Sequence, residues 1–131
     1  MSNLQTFKYN NHQITFDFGT EQKMVNATQM AKPFRKRPSK FLEIEEVKNY
    51  IRHFEEKSDV RQAVITIKGK FKDGRPQGTW MHKTLALRFA QWLDVRFAIW
   101  VDEKIEELLK DGYTQLSGLW VYFFQSTGAK M

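Results

Sequence analysis

The apolar residues of this chain change their repeat three times, and few architectures satisfy that order. Phe7 and Tyr9, then Ile14, Phe16 and Phe18, fall at every second position. That spacing places each set on one face of extended chain, and the "NNHQ" between them supplies a turn because Asn tolerates positive φ. From Asn26 to Phe54 the apolar spacing lengthens to that of helices. Val64, Ile65 and Ile67 return to strand-type sequence, and "GTWMH" offers a partner strand across the turn signals Asp73-Gly74 and Pro76. Beyond Thr84 the helical repeat resumes. The order hairpin, two helices, hairpin, two helices predicts a mixed α+β domain.

Element ends are also marked. Asn26 is a good N-cap ahead of Ala27, Met30 and Ala31, and Pro33 is expected to end or kink that short helix. A second helix is expected to start at Pro38 or Ser39 and run through "KFLEIEEVKNYIRHFEEK", with Phe41, Ile44, Val47, Ile51 and Phe54 in one stripe. Two helices joined by a short connector are compatible with a helix-turn-helix. Thr84 is expected to cap "LALRFAQWL", and Asp94 to cap a last helix in which Phe97, Val101, Ile105 and Leu108 share a face and Gly112 is the stop. Residues 117–131 form a short tail whose run Leu119 to Phe124 is apolar. It reads equally as an extra strand, an oligomer contact or a sticky end.

With 131 residues, 41% hydrophobic and 15% aromatic, the chain has material for about one core. Cysteine is absent, which removes disulfides, thiolate nucleophiles and Cys-based zinc sites together and suits a reducing compartment. No apolar run approaches the roughly 20 residues of a membrane span, and the N-terminus shows no signal-peptide core. A soluble, cytoplasmic protein without membrane contact is expected. His12, His53 and His82 lie in no metal-binding spacing, and no phosphate-cradling glycine loop or nucleophile motif occurs. Neither catalysis, cofactor nor metal is expected. His53 reads as a half-buried structural histidine, whereas His82 either touches a phosphate or caps the helix after it.

Charge points to a partner. The net charge is +6, and the cations are concentrated in two segments. Lys32, Arg35, Lys36, Arg37 and Lys40 fall within nine residues uninterrupted by any acid. Lys68, Lys70, Lys72, Arg75 and Lys83 follow later against the single acid Asp73. In a strand, Lys68, Lys70 and Lys72 would share a face, with Arg75 at the tip. If a helix begins at Pro38 and Ser39, its N-terminal amides add to the attraction for phosphate. Cations neutralise phosphates while polar side chains read base edges, so "KPFRKRPSK" suits nucleic acid. The competing reading of both segments is solvated surface, with lysines blunting an edge strand.

"VNATQMAKPFRKRPSKFL" and "PQGTWMHKTLALRFAQWLDVRFAIWVDEKIEELLKDG" resemble the KilA-N domain of phages, prophages and large DNA viruses, a relative of the APSES domain of fungal transcription factors. The paired motifs, VNAT and QGTW followed by LALRFAQWL, are specific together. The resemblance implies a winged-helix-like domain over residues 1–116 that binds double-stranded DNA as a phage-type regulator or antirepressor. It carries DNA contact onto Lys32, Arg35, Lys36, Arg37, Ser39 and Lys40, and onto Lys68, Lys70, Lys72, Arg75 and Gln77. It gives Asn26 and Thr28 the task of capping and bracing a helix, and Trp80 that of filling the core. Two rival readings stand beside it. One is a module that binds a protein partner or itself; the other is a binder of RNA or single strands, with Phe34 and Phe71 as stacking candidates.

Overall fold

Both expected hairpins form, and they belong to one sheet. A computed structural model describes residues 4–19, 23–69 and 75–116, with side chains to residue 110. The first hairpin pairs β1 (Leu4–Tyr9) with β2 (His12–Asp17), Tyr9 lying opposite His12. The link is Asn10 and Asn11 at φ 49° and 68°, the left-handed pair that matches the twist of a two-residue hairpin. The second pairs β4 (Val64–Ile67) with β5 (Gly78–His82). Between them lies β3 (Met24–Asn26), bonded to β2 on one side and β5 on the other. The order is β1-β2-β3-β5-β4, antiparallel throughout. Three residues are too few to display a repeat, so β3 had no signature in the sequence.

The helices are α1 (Ala27–Ala31), a 3₁₀ turn (Lys32–Phe34), α2 (Pro38–Leu42), α3 (Glu45–Lys57), α4 (Lys83–Leu93) and α5 (Val95–Leu116). The α+β architecture is therefore as expected, and it is consistent with a winged-helix-like arrangement of helix pair and hairpin. Strand β2 departs from the expected single buried face, because Ile14, Thr15, Phe16 and Asp17 are all buried. Where β3 gives way to α1, the Thr15 N–H donates to the Gln29 side-chain oxygen at 2.7 Å.

The helix expected from residue 38 to 57 is broken. Ile44 is extended, with ψ 130°, and separates α2 from α3. The physical reason is that its apolar stripe has two destinations. Phe41 is buried against Phe89 and Trp92 of α4, with centroids 5.1 and 5.6 Å away, whereas Phe54 meets the His82 ring at 5.2 Å. Val47, Ile51 and Phe54 remain only half-buried. His53 is exposed and sits 3.7 Å from Glu56, so its half-buried reading is corrected.

His82, not Thr84, caps α4: its Nδ1 accepts the Thr84 N–H at 3.2 Å. This is one of the two roles the sequence left open for His82. Burial, and secondarily the charge of Lys83, push its pKa down to about 4, so the ring is neutral and able to accept. Asp94 caps α5 as expected, its Oδ1 accepting the N–H groups of Arg96 and Phe97 at 2.8 and 3.1 Å. Phe97, Val101 and Ile105 are buried, and Leu108 half-buried, as the stripe predicts. Gly112 does not stop α5, which continues to Leu116. A single interior glycine costs only about 1 kcal/mol relative to Ala. The tail at 117–131 lies outside the described residues.

Helix α5 covers the first hairpin. Tyr9 packs on Phe97 and Trp100 at 4.8 and 5.2 Å, and Lys104 lies over the Phe7 ring at 5.2 Å. Phe16, Phe89, Phe97 and Ile14 are fully buried in the core between sheet and helices, and Trp80 is fully buried outside that cluster.

Candidate nucleic-acid interface

The VNAT and QGTW segments are bonded to each other. Asn26 Oδ1 accepts the Gln29 N–H at 3.0 Å and so caps α1, while its Nδ2 donates to the Gln77 carbonyl at 3.3 Å. Thr28 Oγ1 accepts the Thr79 N–H at 2.9 Å, and the Trp80 indole N–H donates to the Pro76 carbonyl at 3.0 Å. Gly78 sits between these ties at φ 136°, where a Cβ would come within 3.0 Å of Asn26 Oδ1 and 3.1 Å of Thr28. Both the backbone angle and the space demand glycine. One end of α1 is thereby locked to the root of the β4–β5 hairpin.

The other end of α1 leads into the basic connector through a left-handed residue. Arg35 has φ 56°; its N–H donates to the Lys32 carbonyl at 3.1 Å, and the Lys36 N–H to the Ala31 carbonyl at 3.3 Å. This pair of bonds is a Schellman motif with Arg35 at the position that glycine usually fills. Pro33 fits the turn because φ is fixed there and α1 has already ended. Phe34 points inward, with its ring 5.0 Å from Phe97 and 6.3 Å from Tyr9. The connector is thus anchored by an apolar plug and a turn, leaving its cations outside. Pro38 then occupies the first turn of α2, buried, with extended Arg37 before it. At five residues α2 is too short for the helix-dipole contribution expected of a long helix.

Lys32, Arg35, Lys36, Arg37, Ser39 and Lys40 are all exposed. Among the described residues, Lys32, Arg35, Arg37, Lys40 and Lys68 form no ion pair. Lys36 differs from its neighbours: its Nζ lies 4.7 Å above the Trp92 ring, a cation–π contact that holds it toward α4.

A groove of about 880 Å³ runs between α1 and the β4–β5 hairpin. Lys32 lines one wall, with Thr28 and Gln29; Lys68, Gln77 and Thr79 line the other. Three residues of the expected site, Lys32, Lys68 and Gln77, therefore meet around one concavity. Thr28 and Gln29 belong to that wall too, and the only signal for them was their place in or directly after VNAT.

The expected row of hairpin cations, Lys68, Lys70 and Lys72, falls for the most part outside the described residues. Strand β4 ends at Ile67, so Lys68 follows the strand, and Gly69 after it takes a left-handed φ of 65°. Lys70, Lys72 and Phe71 lie outside the described residues. Arg75 turns back to β2, its Nε 3.9 Å from Asp17 Oδ2, and is only 21% exposed. Among the described residues no group of three His, Asp or Glu side chains is placed to hold a metal ion.

Comparison with protein families finds the KilA-N domain over residues 7–111. Comparison with curated proteins and with solved structures gives no match. The matched span includes β3 and α1 with the VNAT segment, the connector, both sides of the groove and most of α5. The chain belongs to the KilA-N domain family, a family of DNA-binding domains.

Proposed function

We propose that the protein binds double-stranded DNA with the basic connector and the α1–hairpin groove as one continuous surface. In this reading Lys32, Arg35, Arg37, Lys40 and Lys68 neutralise phosphates, Lys36 does so less, and Ser39 and Gln77 lie within reach of base edges. Lys70 and Lys72, of the same basic segment as Lys68, neutralise phosphates too in this reading. The observation that supports it best is the meeting of Lys32 and Lys68, from two distant basic segments, at one groove. A stacking role for Phe34 on single strands is disfavoured, because that ring is packed on Tyr9 and Phe97.

The biological role follows the same reading: a regulator or antirepressor of phage or prophage type, working in a bacterial or infected-host cytoplasm. No described helix is long and apolar enough to cross a membrane. Selection of bound duplexes from a random pool tests the proposal. An enriched motif is expected, with a log–log salt slope of about −4 to −5 for five phosphate contacts. Equal retention of single strands and duplexes would count against it.

A protein partner is the second reading, and Val95 and Ile99 favour it. They are 70% and 56% exposed, one turn apart on α5. Loss of partner capture on Val95→Ser/Ile99→Ser, with DNA binding intact, would separate this surface from the groove.

A further inference from the structure

Arg75 lies in a basic segment but does not face the groove that this segment helps to form. Pro76 and Gln77, next in the chain, line the groove, whereas the Arg75 side chain reaches in the opposite sense to Asp17 on β2. Asp17 is buried, with 6% of its side chain exposed, and its Oδ1 also receives the Gly19 N–H at 3.5 Å. A carboxylate withdrawn from water to that extent is costly unless charge and hydrogen bonds compensate it. An arginine engaged there is not free for a phosphate, and a phosphate brought close would meet the charge of Asp17.

The contact is also the first of a series. Along the return leg of the hairpin, Arg75 is held by Asp17, the Pro76 carbonyl by Trp80, the Gln77 carbonyl by Asn26 and the Thr79 N–H by Thr28. The last three ties act at the root of the hairpin. Among the described residues the Asp17–Arg75 contact lies farthest along this leg from the root, and it ties the leg to β2.

We propose that Asp17 and Arg75 are a positioning pair for DNA binding: Asp17 holds Arg75, and the pair sets the hairpin so that Lys68 and Gln77 stand opposite Lys32. Arg75 itself touches no phosphate. This rests on the duplex-binding reading above and assigns the residue the opposite task from that of its basic neighbours.

The two tasks give opposite signs in one experiment, duplex affinity measured over a salt series. Asp17→Asn keeps shape and removes one negative charge. If Arg75 were a phosphate ligand, this change would release it and tighten binding. As a positioning pair, the same change weakens binding about three- to tenfold despite the more favourable net charge, and leaves the salt slope as in the wild type. Arg75→Gln behaves alike, and the double variant loses no more than either single one. Lys68→Ala is the reference for a true phosphate contact, its slope shallower by about 0.9. Tighter or unchanged binding by Asp17→Asn, or a slope for Arg75→Gln shallower by the same amount, overturns the proposal. Each variant is assayed well below its melting temperature, and should Asp17→Asn not fold, the slope of Arg75→Gln decides alone. A wild-type protein that retains no duplex overturns the DNA reading itself, an outcome distinct from a wild type that binds and an Asp17→Asn variant that binds more tightly.

Discussion

Asn26 donates from Nδ2 to the carbonyl of Gln77, 51 residues away, while its Oδ1 caps α1 three residues on. One buried amide thus holds both walls of the groove. This explains why VNAT and QGTW occur together: each supplies the partners the other lacks. It also makes the groove a consequence of folding stability, not of surface charge alone.

Asn26→Ala removes the cap and leaves the Gln77 carbonyl without its side-chain donor. The expected cost is about 2 kcal/mol in urea unfolding, the sum of a lost cap and a lost part-buried hydrogen bond. Thr28→Val breaks only the bond to the Thr79 N–H, so about 1–2 kcal/mol is expected.

The two described glycines at positive φ separate steric from conformational cost. Gly78→Ala places a methyl 3.0 Å from Asn26 Oδ1 at φ 136°, and a loss of about 3 kcal/mol or more is expected. Gly69→Ala sits at φ 65° with open space around the new methyl, and about 1 kcal/mol is expected. Equal losses at the two sites would contradict the close packing of Gly78 on Asn26.

Arg35 carries a conformational strain that only its side chain accounts for. Glycine is favoured at a left-handed Schellman position, so Arg35→Gly should raise stability by about 0.5–1 kcal/mol in thermal unfolding. The same variant should bind duplex DNA more weakly, with a salt slope shallower by about 0.9. Arg37→Ala should flatten the slope equally, and Lys36→Ala less, because Lys36 already rests on Trp92. A stabilised Arg35→Gly variant that binds DNA as before would remove Arg35 from the contact set.

His82 gives the fold a pH dependence with a definite sign. Its folded pKa is pushed down to about 4, by burial first and by Lys83 second, from an ordinary value of 6.5. The unfolded chain therefore binds the proton more readily. Its contribution is complete above pH 6.5 and is lost as the pH falls toward 4, amounting to about 3 kcal/mol in all. Protonation also deprives the Thr84 N–H of its acceptor. His82→Asn retains a capping side chain but no titration in this range, so its stability measured between pH 6.5 and 5 should fall less steeply than that of the wild type.

Much of the fold was legible because local chemistry decided it. The Asn10-Asn11 turn, the Asn26 and Asp94 caps and the buried face of α5 from Phe97 to Ile105 follow from short-range preference and apolar spacing. The exposed cations of the connector followed from their density alone. Other features were decided by contacts between distant residues. Strand β3 exists because β2 and β5 flank it, and α2 separates from α3 because Phe41 and Phe54 have different neighbours. His82 displaces Thr84 as the cap because burial keeps its ring neutral. The same division runs through the candidate site. Sequence determined that Lys32 and Lys68 are cationic, and tertiary structure decided that they meet across a groove while Arg75 turns to Asp17. Charge is a property of each residue by itself, whereas the direction in which it is presented depends on the carboxylate, amide and hydroxyl partners that folding brings within reach.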